Sequence, residues 1–502
     1  MTSPSLALGV SLPLEGRGAA SSFGLATDHL LTHGVVVGMT GSGKTGLVTV
    51  LAEEALRARV PTLMIDVKGD LPNLLLAPPS FAASALAPWF DEGEAAANGD
   101  AAAQASLDHM AHERETGLRE AGVDEGAIAS FRTSSALRVL TPGSTIGEPV
   151  HLLASLERRS PLWASDPESA RASLCAAVSL VLRLLGRDPD PAKSREHVLL
   201  SVLAERRLVA GESADLVTLL ADVQSPPIET IGAMSVDSFV RASERRALAA
   251  AMNSLLASPT FATWRTGASL DVGAWLSPRD GRTPGVILSV AHLDDDERLL
   301  VLSLVFEELL AWVRSLPGTR KLRALVVFDE AYGFLPPHPA NPPTKKPIVA
   351  LLKQARAFGV GVVVATQNPM DLDYRALGNA GVWCIGRLQT DADRARVVEG
   401  LADAGVFTSD KERAKGGGEL DATIKRLAPR WFVVRDARAE RAVLMRPRQT
   451  ISLLRGPMTR VELQRAVGRA AEGREPTSGP AVGPTGPGSG PDEEISCLGT
   501  PA

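Results

Sequence analysis

Eight residues near the start of the chain, Gly38 to Thr45, constrain the fold more than any other feature. They spell GMTGSGKT and follow the pattern GxxxxGK[ST]. The β-branched run Gly34–Val37 precedes them, and the helical pattern of Gly46–Ala58 follows. A strand, a glycine loop and a helix N-terminus in this order direct backbone N–H groups at a phosphate. The stretch therefore predicts a phosphate-binding loop, or P-loop.

Each residue type of this loop suits the binding of nucleotide phosphates. The glycines permit backbone conformations that turn N–H groups inward. Lys44 is expected to reach the β- and γ-phosphates of ATP, and Thr45 to offer its hydroxyl to Mg²⁺. The alternative, a chance glycine-rich turn, does not explain the flanking strand and helix. The predicted nucleotide-binding residues are Gly38, Met39, Thr40, Gly41, Ser42, Gly43, Lys44, Thr45, Gly46 and Asp66.

A second acidic site is needed for Mg²⁺ and for the attacking water, and Leu325–Glu330 supplies it. Four apolar residues followed by Asp-Glu form a Walker B pattern. Asp329 is predicted to hold Mg²⁺ through water, and Glu330 to orient or deprotonate the attacking water. An exposed strand end, where acids are common, is the alternative. Because parallel strands share their carboxyl edge, we expect Asp329 and Lys44 at the same edge of one sheet.

A polar residue also ends the predicted strand beside the Walker B strand. The apolar run Val360–Val364 leads into Gln367, and Pro369 follows two residues later. Gln367 is predicted to contact the γ-phosphate or the attacking water as a catalytic sensor. An amide that caps a turn before proline explains the same position, so both interpretations stand.

The segment Asp66–Asp70, with the sequence DVKGD, ends the second predicted strand, Pro61–Ile65. The order strand, loop, helix, strand puts this segment near the P-loop. Asp66 or Lys68 is predicted to contact the nucleotide or a neighbouring subunit. A tight turn built on Gly69 explains the same residues equally well.

Two arginines are candidates for the positive charge that many P-loop ATPases place on the γ-phosphate. Arg356 precedes the sensor strand, and Arg387 follows the predicted strand Val382–Ile385. Either is predicted to act as an arginine finger across a subunit interface; a solvated surface position is the alternative. A basic cluster could line a nucleic-acid channel or form a solvated helix face. Its members are Lys345, Lys346, Lys353 and Arg356.

The alternation of strands and helices predicts an α/β fold with a doubly wound parallel sheet. Further strands are expected at Gly285–Val290, Ala324–Phe328 and Phe432–Val434, and a helix at Asp294–Leu316. The predicted organisation, in residue numbers, is a lead-in (1–24), the P-loop part of the core (25–72), a mainly helical insertion with one possible core strand near 137–141 (73–283), the core with Walker B and sensor (284–459), a terminal helix (460–472) and a disordered tail (473–502).

Net charge, cysteine content and hydropathy bear on the partners and the compartment that we expect for the protein. The net charge of -5 gives no support for a nucleic-acid partner, although a motor can keep its basic groups inside a channel. Three dispersed cysteines without CxxC spacing argue against a zinc site or a disulfide framework and favour a reducing cytoplasm. Neither a signal peptide nor a membrane-spanning segment is expected.

Several segments together resemble the HerA/FtsK superfamily of P-loop ATPases, and within it the bacterial HerA-like proteins with a helicase-type central domain. The similarity covers most of the chain from Leu25 to about Thr459. The segments that carry it are His33–Thr45, Asp66–Asp70, Phe328–Ala331 and Arg356–Pro369, with SREH at Ser194–His197, ASPTFATW at Ala257–Trp264, LLKQARA at Leu351–Ala357 and GRLQT at Gly386–Thr390.

The resemblance implies a RecA-like core with an additional strand and a catalytic glutamate, and a ring, often a hexamer, that pumps or unwinds DNA. It implies the roles already given for the P-loop, Walker B and sensor residues, and it places Arg387 near the nucleotide. HerA itself has a small β-barrel before the P-loop that binds a nuclease. Only about 30 residues precede the loop here, which is short for a barrel and argues against such a nuclease partner.

The leading hypothesis is therefore an ATP- and Mg²⁺-dependent motor that acts on DNA as a homo-oligomeric ring. The acidic balance and the predicted disordered tail motivate an alternative, a nucleotide-dependent switch or assembly ATPase that acts on protein partners. A small-molecule kinase is a third possibility. The water-activating position of Glu330 favours hydrolysis over phosphoryl transfer to a metabolite.

Overall fold

The computed structural model describes residues 4–472 apart from short gaps. The gaps are residues 17, 90–99, 158, 161, 368–369, 371, 379, 404–417, 419 and 440. The tail from Gly473, for which the sequence predicts disorder, lies outside the described residues.

Within the described residues, one sheet of eleven strands organises the fold, in the order β2-β1-β11-β10-β9-β3-β8-β7-β4-β6-β5. Its strands are β1 Ser5–Pro13, β2 Ser21–Ala26, β3 Gly34–Val37, β4 Thr62–Asp66, β5 Ser135–Leu140, β6 Thr283–Ser289, β7 Ala324–Asp329, β8 Val360–Thr366, β9 Val382–Ile385, β10 Phe432–Asp436 and β11 Val443–Pro447. Two-residue strands pair elsewhere, Val150–His151 with Ala268–Ser269 and Thr230–Ile231 with Met234–Ser235.

The strands from β5 to β9 in sheet order run parallel to one another. This confirms the predicted α/β fold with a parallel core. Strand β8 lies between the P-loop strand β3 and the Walker B strand β7, which is the additional strand that the resemblance implies. The other four strands, β10, β11, β1 and β2, extend the sheet in antiparallel fashion.

The residues before β3 form a hairpin in this sheet, not the extended lead-in that the sequence predicts. Leu6 and Leu8 alternate with exposed or half-buried residues and bury their side chains in the core. The strand is irregular at Gly9, whose φ is 156°; a Cβ there would lie 2.1 Å from the carbonyl oxygen of Arg446. Glycine therefore permits β1 to pair closely with β11.

The helices of nine residues or more cover both faces of the sheet. They are α1 Lys44–Arg57, α2 Asp100–Glu120, α3 Glu125–Ser134, α4 Pro167–Leu184, α5 Arg195–Ala210, α6 Leu216–Gln224, α7 Ala242–Ala257, α8 Asp295–Ser315, α9 Lys345–Gln354, α10 Asp391–Asp403 and α11 Arg460–Glu472. Shorter helical turns lie at Thr27–Thr32, Leu71–Leu75, Ala83–Leu86, Ala87–Trp89, Ala154–Glu157, Leu162–Ser165, Val236–Phe239, Pro259–Trp264, Val272–Trp275, Ala355–Phe358 and Tyr374–Leu377.

Polar side chains cap several of these helices. Asp166 accepts a hydrogen bond from the backbone N–H of Ser169, and Ser194 accepts one from that of His197. Such caps satisfy N–H groups that have no partner within the helix. In the part of the chain that the structure describes, no helix combines the length and the apolar character that a bilayer crossing requires.

The two faces of the sheet support separate cores because strand side chains alternate. Val36 and Met64 pack with α1, whereas Val35, Val37 and Leu63 pack with the layer formed by α4 to α8. Helices α2 and α3 instead lie beside the end of α1. The region predicted as one helical insertion is thus split between both faces, and β5 at the sheet edge separates its two parts.

A buried ionic network joins α1 to the segment after β11. Arg448 donates hydrogen bonds to Glu53 at 2.9 Å and to Glu54 at 2.8 Å, and all three side chains are almost completely buried. Glu53 also accepts hydrogen bonds from the backbone N–H groups of Ile451 and Ser452. These contacts attach the C-terminal segment to the helix that follows the P-loop.

Breaking this network should destabilise the fold far more than breaking a surface ion pair. We expect Arg448→Met to lower the free energy of unfolding by about 3–5 kcal/mol, because it leaves the buried carboxylate of Glu53 without its cation, although Glu54 keeps its ion pair with Arg57. The matched control is Arg171→Met, which removes an exposed pair with Glu205 and should cost about 0–1 kcal/mol. Urea unfolding followed by circular dichroism measures both; equal losses would contradict the assignment.

Candidate nucleotide-binding site

The P-loop connects β3 to α1 in a conformation that requires its glycines. Gly41 and Gly43 have φ values of 77° and 94°, in the left-handed region that favours glycine. A Cβ on Gly38 would lie 2.6 Å from the hydroxyl of Ser42. Gly43 is the N-cap of α1, so the free N–H groups of the first helical turn face the loop. The sequence motif therefore adopts the geometry of an anion-binding helix N-terminus.

Lys44 is buried inside this loop and carries its ammonium at the centre of the site. The Nζ atom donates hydrogen bonds to the carbonyl oxygens of Gly38 at 2.5 Å and Met39 at 3.2 Å. Burial lowers the pKa of Lys44 to about 8, while the negative charge of Glu330 opposes the change. A phosphate that entered the loop would meet this ammonium with little intervening solvent.

The acidic side of the site lies at the ends of β4 and β7. Asp66 and Asp329 occupy paired positions in the parallel register of these strands. Burial raises the pKa of Asp329 to about 7, with further contributions from the carboxylates of Asp66, Glu330 and Asp70. Clustered carboxylates at the end of buried strands are a setting that a divalent cation would stabilise.

Asp66 organises the turn that follows β4. One carboxylate oxygen accepts hydrogen bonds from the N–H groups of Gly69 at 2.9 Å and Asp70 at 3.1 Å, and the other accepts one from the hydroxyl of Ser289 at 2.8 Å. Burial raises the pKa of Asp66 to about 6. Since both oxygens are engaged within the fold, these contacts favour the tight-turn interpretation of this segment for Asp66 itself.

Glu330 connects the Walker B strand, the sensor strand and the turn after β4. Its Oε2 atom accepts a hydrogen bond from Lys68 Nζ at 2.6 Å. Its Oε1 atom accepts hydrogen bonds from the Gln367 backbone N–H and the Thr366 hydroxyl, each at 3.2 Å. The Gln367 side chain in turn accepts a hydrogen bond of 2.7 Å from the hydroxyl of Thr40 in the P-loop. The predicted base and sensor therefore lie together beside the loop.

The two candidate arginine fingers occupy opposite edges of the sheet. The carbonyl oxygen of Arg387 accepts a hydrogen bond of 3.0 Å from the Met39 N–H, and the Arg387 side chain is exposed beside the P-loop. Arg356 precedes β8 and lies near His33, whose pKa is lowered to about 4 by burial with a contribution from the Arg356 charge. Arg356 is thus at the amino edge, remote from the P-loop of its own chain.

The predicted basic cluster does not form one free cationic surface. Lys345 is paired with Asp373 at 3.0 Å, and Lys346 lines a small pocket together with Glu307. Lys353 is exposed, as is Arg356. These positions favour the interpretation of α9 as an ordinary amphipathic helix, with its apolar side packed on the core.

Sequence reasoning missed Arg430, which contacts the P-loop from far along the chain. Its N–H donates a hydrogen bond of 3.0 Å to the carbonyl oxygen of Ser42, and its Cα would lie 3.1 Å from a Cβ on Gly43. Its φ of 64° is uncommon for a residue with a side chain. Arg430 belongs to no local motif, so its proximity to the loop follows only from the pairing of β9 with β10.

A pocket of about 610 Å³ adjoins the start of α1. This volume lies in the range of small-molecule sites. Gly43, Gly46 and Arg430 line the side nearest the P-loop. The remaining walls combine apolar side chains with the segment that the buried ionic network holds in place; they include Leu47, Leu86, Trp89, Met110, Arg448, Ser452 and Leu454.

Comparison with known proteins agrees with the resemblance in the region of the P-loop. Residues 18–89 match the family model for the central domain of helicase HerA, which confirms the predicted resemblance there. No curated protein sequence matches the chain.

Two solved structures align with most of the chain. The plasmid coupling protein TrwB in complex with ADP and Mg²⁺ is 13% identical with a TM-score of 0.48, over 91% of this chain and 98% of that chain. VirB4 of Thermoanaerobacter pseudethanolicus is 13% identical with a TM-score of 0.47, over 88% of this chain and 96% of that chain. At such TM-scores the fold assignment rests on the strand order itself.

The lowered pKa of Lys44 should make phosphate binding depend on pH. The ammonium loses its proton as pH rises through about 8, and a bound phosphate favours the charged form. We expect the affinity for ADP to fall roughly tenfold between pH 7 and pH 9. Calorimetry at pH 9 in buffers of different ionisation enthalpy should show the uptake of close to one proton, with almost none at pH 6.5. Binding without proton uptake at pH 9 would contradict this assignment.

Proposed function

We propose that this chain is an ATPase of the HerA/FtsK type that couples hydrolysis of Mg²⁺-bound ATP to movement of DNA, as a homo-oligomeric ring. The observation that carries the proposal is the convergence of Lys44, Asp329 and Glu330 at the carboxyl edge of one parallel sheet. Ligands of open α/β sheets bind at this edge.

Each residue of the site has a separate role in ATP hydrolysis. Lys44 and the N–H groups of the P-loop hold the β- and γ-phosphates, and Thr45 and Asp329 are the residues that would hold the metal. Bound Mg²⁺ neutralises the charge that develops on the phosphate oxygens. Glu330 accepts a proton from the attacking water, and Gln367, whose backbone N–H already contacts Glu330, orients that water.

The pocket beside α1 offers a place for the nucleoside. Backbone at Gly43 and Gly46 joins this pocket to the P-loop, so a nucleotide held by its phosphates would direct its ribose and base there. Leu47 and Leu86 supply apolar contact for a base. Arg430 lines the side of the pocket nearest the P-loop, where the ribose joins the phosphates. Here the buried pair of Glu53 and Arg448 acts indirectly, because it holds the far wall of the pocket.

A ring arrangement is consistent with the positions of the two exposed arginines. Arg387 lies beside the P-loop of its own chain, whereas Arg356 is at the opposite edge and would serve only the nucleotide of a neighbouring subunit. DNA as the substrate is proposed from the match to a helicase domain. The alternative of a switch acting on protein partners gains some support from the paired state of Lys345.

Two substitutions separate binding from hydrolysis. Lys44→Ala should abolish nucleotide binding and turnover, because it removes the buried ammonium. Glu330→Gln should keep ATP binding and lower the turnover rate about a hundredfold to ten-thousandfold, the usual contribution of a general base. Binding by fluorescence anisotropy and phosphate release measure the two effects. The exposed Lys193→Ala serves as control; wild-type turnover by Glu330→Gln would refute the assigned role.

The coupling to DNA needs its own measurement. We expect duplex DNA to stimulate the ATPase of the wild-type protein, and multi-angle light scattering with a non-hydrolysable ATP analogue to give the mass of a closed oligomer. Arg356→Ala should lower turnover only in the oligomer. Mixing Arg356→Ala subunits with Lys44→Ala subunits tests this expectation. A monomeric protein whose ATPase rate does not change with DNA would contradict the motor proposal. Stable protein partners captured by Glu330→Gln would favour the switch.

A further inference from the structure

Lys68 lies in the turn after β4, outside the P-loop and the Walker B strand. Its Nζ atom donates a hydrogen bond of 2.6 Å to Glu330 Oε2, and about a third of its side chain is exposed. The turn itself is held by Asp66, which accepts hydrogen bonds from Gly69 and Asp70. The backbone at Lys68 is therefore fixed by contacts that do not involve its own side chain.

The ammonium of Lys68 belongs to the same electrostatic cluster as the P-loop lysine. Its charge contributes to the lowering of the Lys44 pKa, after burial as the main cause. Its charge also opposes the rise of the Asp329 pKa. Two ammonium groups thus meet the carboxylates of Asp66, Asp70, Asp329 and Glu330 at the carboxyl edge of the sheet. A phosphate held by Lys44 would lie in the field of both lysines.

Glu330 is held on both of its carboxylate oxygens. Oε1 accepts hydrogen bonds from Thr366 and Gln367, and Oε2 accepts one from Lys68. The residue also has a φ of 61°, uncommon for glutamate. A general base needs a free oxygen directed at the water that it deprotonates. The Lys68 ammonium occupies the oxygen that would otherwise be available.

We propose that Lys68 is a second phosphate-binding lysine that exchanges its contact with Glu330 for the γ-phosphate of a bound nucleoside triphosphate. The terminal phosphate of a triphosphate carries more charge than one carboxylate and competes for the same ammonium. The exchange frees Glu330 Oε2 to accept a proton from water. A diphosphate has no γ-phosphate and leaves the Lys68–Glu330 pair in place. This inference rests on the proposed function and adds the feature that distinguishes triphosphate from diphosphate.

The test compares affinities for the slowly hydrolysed analogue ATPγS and for ADP, each with Mg²⁺. We expect Lys68→Ala to weaken ATPγS binding about tenfold or more and ADP binding less than twofold, because only the triphosphate reaches Lys68. Lys68→Arg should recover part of the loss. Lys193→Ala removes an exposed lysine–aspartate pair of similar length and should change neither affinity.

A double-mutant cycle tests the exchange itself. Glu330→Gln should tighten ATPγS binding because it releases Lys68. The gain in affinity caused by Glu330→Gln should be at least about threefold smaller when Lys68 is already replaced by alanine. An equal gain with and without Lys68 would overturn the exchange, as would equal losses for ATPγS and ADP in Lys68→Ala. If the wild-type protein bound neither nucleotide, the proposed function itself would fail, which is distinguishable from both results.

Discussion

The shared carboxyl edge of the parallel strands is the constraint on which the rest of this structure depends. The residues that follow β3, β4, β7 and β8 lie side by side because parallel strands place all their carboxyl ends at one edge of the sheet. The P-loop, Asp66, Glu330 and Gln367 lie far apart along the chain but are neighbours for this reason alone. On the other side of β9, the entry to the antiparallel strand β10 brings Arg430 to the loop.

Burial of charge at this edge explains why the site is sensitive. Lys44 has a lowered pKa and Asp329 a raised pKa, and burial is the main cause in each case. Charged groups so held are destabilised in isolation and interact strongly with a ligand of opposite charge. The ion pair of Lys68 with Glu330 is a compensation of the same kind, and it is made between residues that a phosphate could separate.

The support for this edge comes from the opposite end of the chain as well as from the core. Glu53 and Glu54 of α1 bind Arg448 in a buried network, so the segment after the last strand is anchored to the helix that begins in the P-loop. The pocket beside α1 exists because this segment forms its wall. The described segment after β11 therefore forms part of the pocket beside α1, although it contains no recognisable motif.

The local sequence determined the P-loop, the Walker B strand, the parallel core and the start of α8 at Asp294, because each depends on a short pattern with a direct physical cause. Glycines set the loop conformation, apolar runs set buried strands, and Asp or Ser caps set helix starts. Only the tertiary structure decided that residues 5–26 form a hairpin of the sheet, that the helical region divides between both faces, and that Asp66 holds a turn while Lys68 binds Glu330. The tertiary structure alone also decided the contacts of Arg430 and Arg448. Their partners are hundreds of residues away, and such contacts follow from strand pairing and burial, which a local pattern does not contain.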